Sequence, residues 1–129
     1  MSLGTRRELK AGYDETLAKI PDALKAEGFG ILTEIDIKET LKNKIGVDFR
    51  RYKILGACNP PLAHQALQAE TEIGLMLPCN VIVYETDDGR AVVSAIDPTA
   101  TIASVGNPVL VELAQTVRDK LARALQSLE

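Results

Sequence analysis

Leu110, Leu113, Ala114, Val117, Leu121, Ala124, Leu125 and Leu128 recur at helical spacing behind the pair Asn107-Pro108. That pair suits a helix start, because an asparagine side chain accepts from first-turn N–H groups and a proline there forfeits no bond. An apolar stripe of this length must be covered by something flat and apolar, and the spacing predicts a sheet beneath it. The partner is visible upstream, where 79–86 and 90–96 alternate as strands and Asp87-Asp88-Gly89 joins them. The Asp-Gly step makes this a hairpin, so the sheet is antiparallel at that point.

The remaining elements fit the same plan. A mostly polar alternation over 5–11 suits an edge strand. Asp14 is expected to cap a helix bearing Leu17, Ile20 and Leu24, with Gly28 as its stop and Pro21 kinking it. Phe29, Ile31, Thr33 and Ile35 alternate and are expected on one face of a second strand. Asp36 followed by Glu39 resembles a capping box opening a short helix that Gly46 closes. A third strand over 52–58 and a helix over 60–70 complete the series. The fold class is therefore α+β: a mainly antiparallel five-stranded sheet with two long helices packed on one face.

The 129 residues suit a single domain over 1–129. Fifteen Lys and Arg against eighteen Asp and Glu, with no Trp, three Tyr and two Phe, offer little to a phosphate backbone and few stacking surfaces, so no nucleic-acid partner is expected. Arg6-Arg7 and Arg50-Arg51 are expected to be solvated strand ends. The longest apolar runs, near 73–78 and 91–96, fall well short of the ~20 residues of a membrane-spanning helix. The start of the chain passes straight into Arg6, Arg7 and Glu8 without an apolar signal core, which makes a cytoplasmic location the expectation. In a reducing compartment Cys58 and Cys79 are free thiols, ligands or redox groups in preference to a structural disulfide.

Two stretches carry the chemistry. In Gly56-Ala57-Cys58-Asn59-Pro60-Pro61-Leu62-Ala63-His64 a cysteine precedes a helix start and the sole histidine follows one turn in; Ile73-Gly74-Leu75-Met76-Leu77-Pro78-Cys79-Asn80-Val81-Ile82-Val83-Tyr84-Glu85 lies downstream. Together they resemble the signature of the domain of unknown function 302 family. The resemblance implies a small β-α-β-β-β-β-α fold, similar in layout to the sheet-and-two-helix half of a TATA-binding protein, and a tendency to form homodimers. It implies neither DNA binding nor any inherited catalytic residue.

From the residues themselves, the unpaired amides and dipole of the helix capped by Asn59 favour a thiolate at Cys58. The residue before a cap contacts the second turn, which brings Cys58 toward Ala63 and His64. The two are expected on one concave surface, as nucleophile and base or as ligands to a soft metal. Inert packing of Cys58 and a boundary position for His64 are the competing readings, because Leu62, Ala63, Ala66 and Leu67 form the apolar stripe and His64 lies off its centre. Cys79 shares a face with Val81 and Val83, which favours core packing; beside Cys58 it would join a ligand-binding set of Cys58, Asn59, His64 and Cys79. No zinc-finger spacing links Cys58, His64 and Cys79. Glu70, Glu72 and Asp97, and the hydroxyls and amides of Thr99, Thr101, Ser104, Gly106 and Asn107, are nearby candidates for a carboxylate or a small-anion seat, or else ordinary solvated and capped loops. Three functions remain open: a small dimeric ligand-binding or regulatory domain taking a small anion, metal or thiol-reactive compound; a thiol-dependent enzyme using Cys58 and His64; and a structural interaction protein with 73–77 at a dimer interface. None of them specifies a cofactor.

Overall fold

The computed structural model describes residues 3–128. Five strands, β1 (Gly4–Leu9), β2 (Gly30–Asp36), β3 (Tyr52–Cys58), β4 (Cys79–Glu85) and β5 (Ala91–Ile96), form one antiparallel sheet in the order β1-β5-β4-β3-β2. The helices are α1 (Tyr13–Lys25), α2 (Ile37–Ile45), α3 (Pro60–Ala69) and α4 (Pro108–Gln126), with 3₁₀ turns at Thr71–Met76, Pro98–Ala100 and Ile102–Val105. Helices α1 and α4 pack on each other and on the same sheet face. All eight residues of the α4 stripe are buried, against an inner sheet face that includes Val81, Val83, Val93 and Ala95. The α+β expectation holds, down to the Gly89 turn, whose φ of +83° is the left-handed conformation a tight hairpin requires. Among the described residues no helix is long and apolar enough to cross a membrane.

Three local expectations change. Asp14 does not cap α1: Gly12 is the cap residue, and the Asp14 carboxylate sits in the first turn, paired with Arg51. The helix continues through Pro21 to Lys25, and its C-cap is Ala26, two residues before Gly28. The paired arginines are not merely solvated. Arg51 also stacks over the Tyr13 ring at 4.4 Å, tying α1 to the sheet, and Arg7 donates to the Leu125 and Gln126 carbonyl oxygens at 3.1 and 2.9 Å. A cation there complements the carbonyl end of α4.

The third change shapes the molecule's surface. Ile31 lies opposite Ala57 and Thr33 opposite Gly56, so Leu32 is an extra residue in β2. A bulge of this kind reverses the alternation beyond it. Phe29 is accordingly buried, while Ile35 is exposed instead of sharing its face, and Leu32 itself is 67 % exposed. On the sheet face away from α1 and α4, Tyr52 and Tyr84 stack as a cross-strand pair with ring centroids 5.5 Å apart.

Candidate functional site

Strand β3 ends at Cys58, and the chain turns at once into α3. Asn59 holds the turn from both ends of its amide: Oδ1 accepts from the Leu62 N–H at 3.4 Å, and Nδ2 donates to the Glu27 carbonyl oxygen at 3.3 Å. The second bond needs Gly28. Its φ is +87°, and a Cβ there would stand 2.9 Å from Asn59 Nδ2. Gly56 does similar service on β3, where a Cβ would meet Pro78 Cγ at 2.7 Å and collide with the Thr33 hydroxyl. Its absence lets the segment leading into β4 close against β3.

Between these elements lies a cavity of about 320 Å³. Helix α3 supplies Leu62, Ala63, Ala66 and Leu67; α4 supplies Leu113, Ala114 and Val117; Phe29 comes from just before β2 and the bulged Leu32 from within it. Ala57, Cys58 and Asn59 end β3, Gly74, Leu77, Pro78 and Cys79 lead into β4, and Ile102 completes the lining. Asn59 is the lone polar side chain in this wall apart from the two thiols, and its amide is already bonded.

Of the sequence candidates, Cys58, Asn59 and Cys79 line this cavity together, Cys58 partly buried and Cys79 only 7 % exposed. Burial first, and the neighbouring Cys58 second, push the Cys79 thiol up to about 11, so it stays protonated at neutral pH. His64 is exposed and is not part of the lining. The shared concave surface expected of Cys58 and His64 is therefore absent. The contact from the residue before the cap runs to the fourth helical position, which is Ala63, and His64 sits roughly 100° further round the helix. Among the described residues no group of three or more His, Cys, Asp or Glu is placed to hold a metal ion.

The neighbouring polar residues serve their own loops. Glu70 accepts from the Glu72 N–H at 2.9 Å, and Asp97 Oδ1 accepts from the Thr99 N–H and hydroxyl at 2.9 and 2.6 Å. Asn107 caps α4 through Val109 N–H at 2.9 Å and donates to the Ala69 carbonyl at 3.4 Å, so it joins α4 to the end of α3. The Thr101 and Ser104 hydroxyls donate to the Pro98 and Thr101 carbonyls. These are the capped loops of the plainer reading. The cavity residues that sequence reasoning missed, Phe29, Leu32, Ile102, Leu113, Ala114 and Val117, carry no chemical signal; for Leu113, Ala114 and Val117 the signal was the α4 stripe, and Leu32 stands in a bulge that no residue type announces.

The family model "Domain of unknown function DUF302" matches residues 5–128. The chain belongs to the DUF302 family. The crystal structure of an uncharacterised conserved DUF302 protein from Bacillus stearothermophilus is similar over 100% of both chains, with 30% sequence identity and a TM-score of 0.91. No curated protein matches. In this DUF302 chain the cavity wall offers apolar surface and two thiols. It can exclude water and favour the transfer of an apolar molecule out of solvent, but it presents no free charged group to hold an anion.

Proposed function

We propose that this DUF302 domain is a homodimeric binding or regulatory module for a small, predominantly apolar molecule held in the cavity over Cys58 and Cys79. The observation that carries the reading is the cavity: about 320 Å³, walled by apolar side chains from both layers, with its one amide already bonded. That volume is at the small end of ligand pockets, which fits a short aliphatic or single-ring compound. A small anion is a poorer occupant, because an apolar wall would strip its water without replacing those hydrogen bonds. A thiol-dependent enzyme is disfavoured because the exposed His64 leaves Cys58 without a base in the cavity.

Self-association is supported by Leu75, 86 % exposed on the turn beside the cavity, with Met76 also exposed. Apolar side chains displayed in this way are commonly covered by a second copy.

Calorimetric titration with 1-nonanol, an aliphatic probe without charge or electrophilic carbon, tests the ligand reading. Gains of ~0.8 kcal/mol per buried CH₂ predict one site with a Kd on the order of tens of micromolar. Ala63→Phe, which puts a ring into the cavity from α3, is expected to weaken binding at least about tenfold. No saturable heat at millimolar nonanol would remove the proposal.

A further inference from the structure

We propose that the cavity captures apolar α,β-unsaturated carbonyl compounds covalently on Cys58, a step that rests on the apolar-ligand reading above. Apart from the bonded Asn59 amide, the two thiols are the polar side-chain groups of an apolar wall, and they are not equivalent. Cys79 is nine-tenths buried and lines the cavity, and its thiol makes no hydrogen bond among the described residues. Its thiol stays neutral at physiological pH. Cys58 lies at the end of β3, where the strand gives way to α3, and is partly open to solvent. A compound seated along Ala63, Ala66, Leu77 and Ala114 has Cys58 in the same wall, so its electrophilic carbon meets a nucleophile without leaving the apolar seat.

The two cysteines do not suggest a disulfide of their own. Ala57, and not Cys58, is the residue directly across from Cys79, so the two thiols are not a cross-strand pair. A soft metal ion is also poorly served, since a thiol that holds its proton up to about pH 11 is a reluctant ligand. An organic electrophile needs only one thiolate and matches the hydrocarbon wall.

The step is a conjugate addition. Cys58 Sγ forms a bond to the β-carbon, the carbon–carbon π bond breaks, and its electrons take up a proton at the α-carbon. The thiol gives up one proton in the exchange. The carbonyl is retained, nothing is oxidised or reduced, and the protein gains the mass of one enal.

The test follows Cys58 alkylation by acrolein, 2-hexenal and 2-nonenal, using intact mass and peptide mapping, with glutathione as the free-thiol reference. Each buried CH₂ multiplies affinity about fourfold, so the Cys58-to-glutathione rate ratio is expected to rise at least about 100-fold from acrolein to 2-nonenal and to saturate with 2-nonenal concentration. Ala63→Phe, which fills the seat, should abolish the rise with chain length. Leu67→Trp, at an exposed wall position, provides a second block should the first variant not fold. A ratio independent of chain length, or 2-nonenal found on Cys79 or on lysines in place of Cys58, would overturn the proposal. Titrating Cys58→Ser with 1-nonanol separates the two claims. Binding of the alcohol alongside a flat ratio refutes capture and leaves the apolar-ligand reading standing; absence of both refutes both.

Discussion

Cys79 shows how one side chain's position decides its chemistry. Directly across from Ala57 on the inner sheet face, it is taken out of water beneath the helices, and its thiol rises from an ordinary value of 9 to about 11. The folded protein therefore holds this proton more tightly than the unfolded chain does. Its contribution is complete below pH 9 and is lost as the pH climbs toward 11. Two units correspond to about 2–3 kcal/mol. Tyr13 and Tyr52, raised by their own burial, add to the same alkaline loss but from a starting value of 10, so Cys79 leads it. Denaturant unfolding between pH 8 and 11 should show stability falling first in the native protein, and Cys79→Ala should flatten that early fall whatever its cost at pH 8. An identical slope in both proteins would mean the thiol is not the group responsible.

At the scale of elements, periodic features were legible and aperiodic ones were not. The α4 stripe announced a buried helix, and the α3 wheel placed Leu62, Ala63, Ala66 and Leu67 together with His64 off to one side, as the cavity lining and the exposed histidine bear out. Both follow from the fixed 3.6-residue turn. Strand β2 misled because Phe29, Ile31, Thr33 and Ile35 fit a regular pleat equally well, and nothing in Leu32 marks it as the residue that stands out of the ladder. The meeting of Cys58 and Cys79 was likewise hidden, since it depends on the β3–β4 register, which the long α3 connection leaves unspecified in sequence. The turn Thr71–Met76 has an apolar composition that the sequence did flag, and it divides into a buried Ile73 and an exposed Leu75. Leu75 and Met76 border a groove of about 470 Å³ with Ile96, Ala100 and Thr101. If this turn carries self-association, sedimentation should show a dimer at tens of micromolar, and Leu75→Glu should shift it to monomer by raising Kd on the order of tenfold or more. A native protein that sediments only as a monomer at that concentration would contradict the dimer.

The whole molecule is a two-layer arrangement opened at one end. Along most of the sheet α1 and α4 lie close enough to bury Val81, Val83, Val93 and Ala95 completely or nearly so. Toward the Cys58 and Cys79 ends of β3 and β4 the cover passes to the shorter α3 and to the turn before β4, and the apolar space left between them is the cavity. An open apolar hollow of this size, lined from several elements, is the form a small-molecule seat commonly takes. The open sheet face with Tyr52 and Tyr84 is the alternative place for an apolar molecule to settle. Titration of the ¹⁵N-labelled protein with 1-nonanol, followed amide by amide, distinguishes the two directly. The cavity account predicts saturable shifts concentrated at Ala63, Ala66, Leu77, Ile102 and Ala114; shifts centred on Tyr52 and Tyr84, or none at any residue, would contradict it.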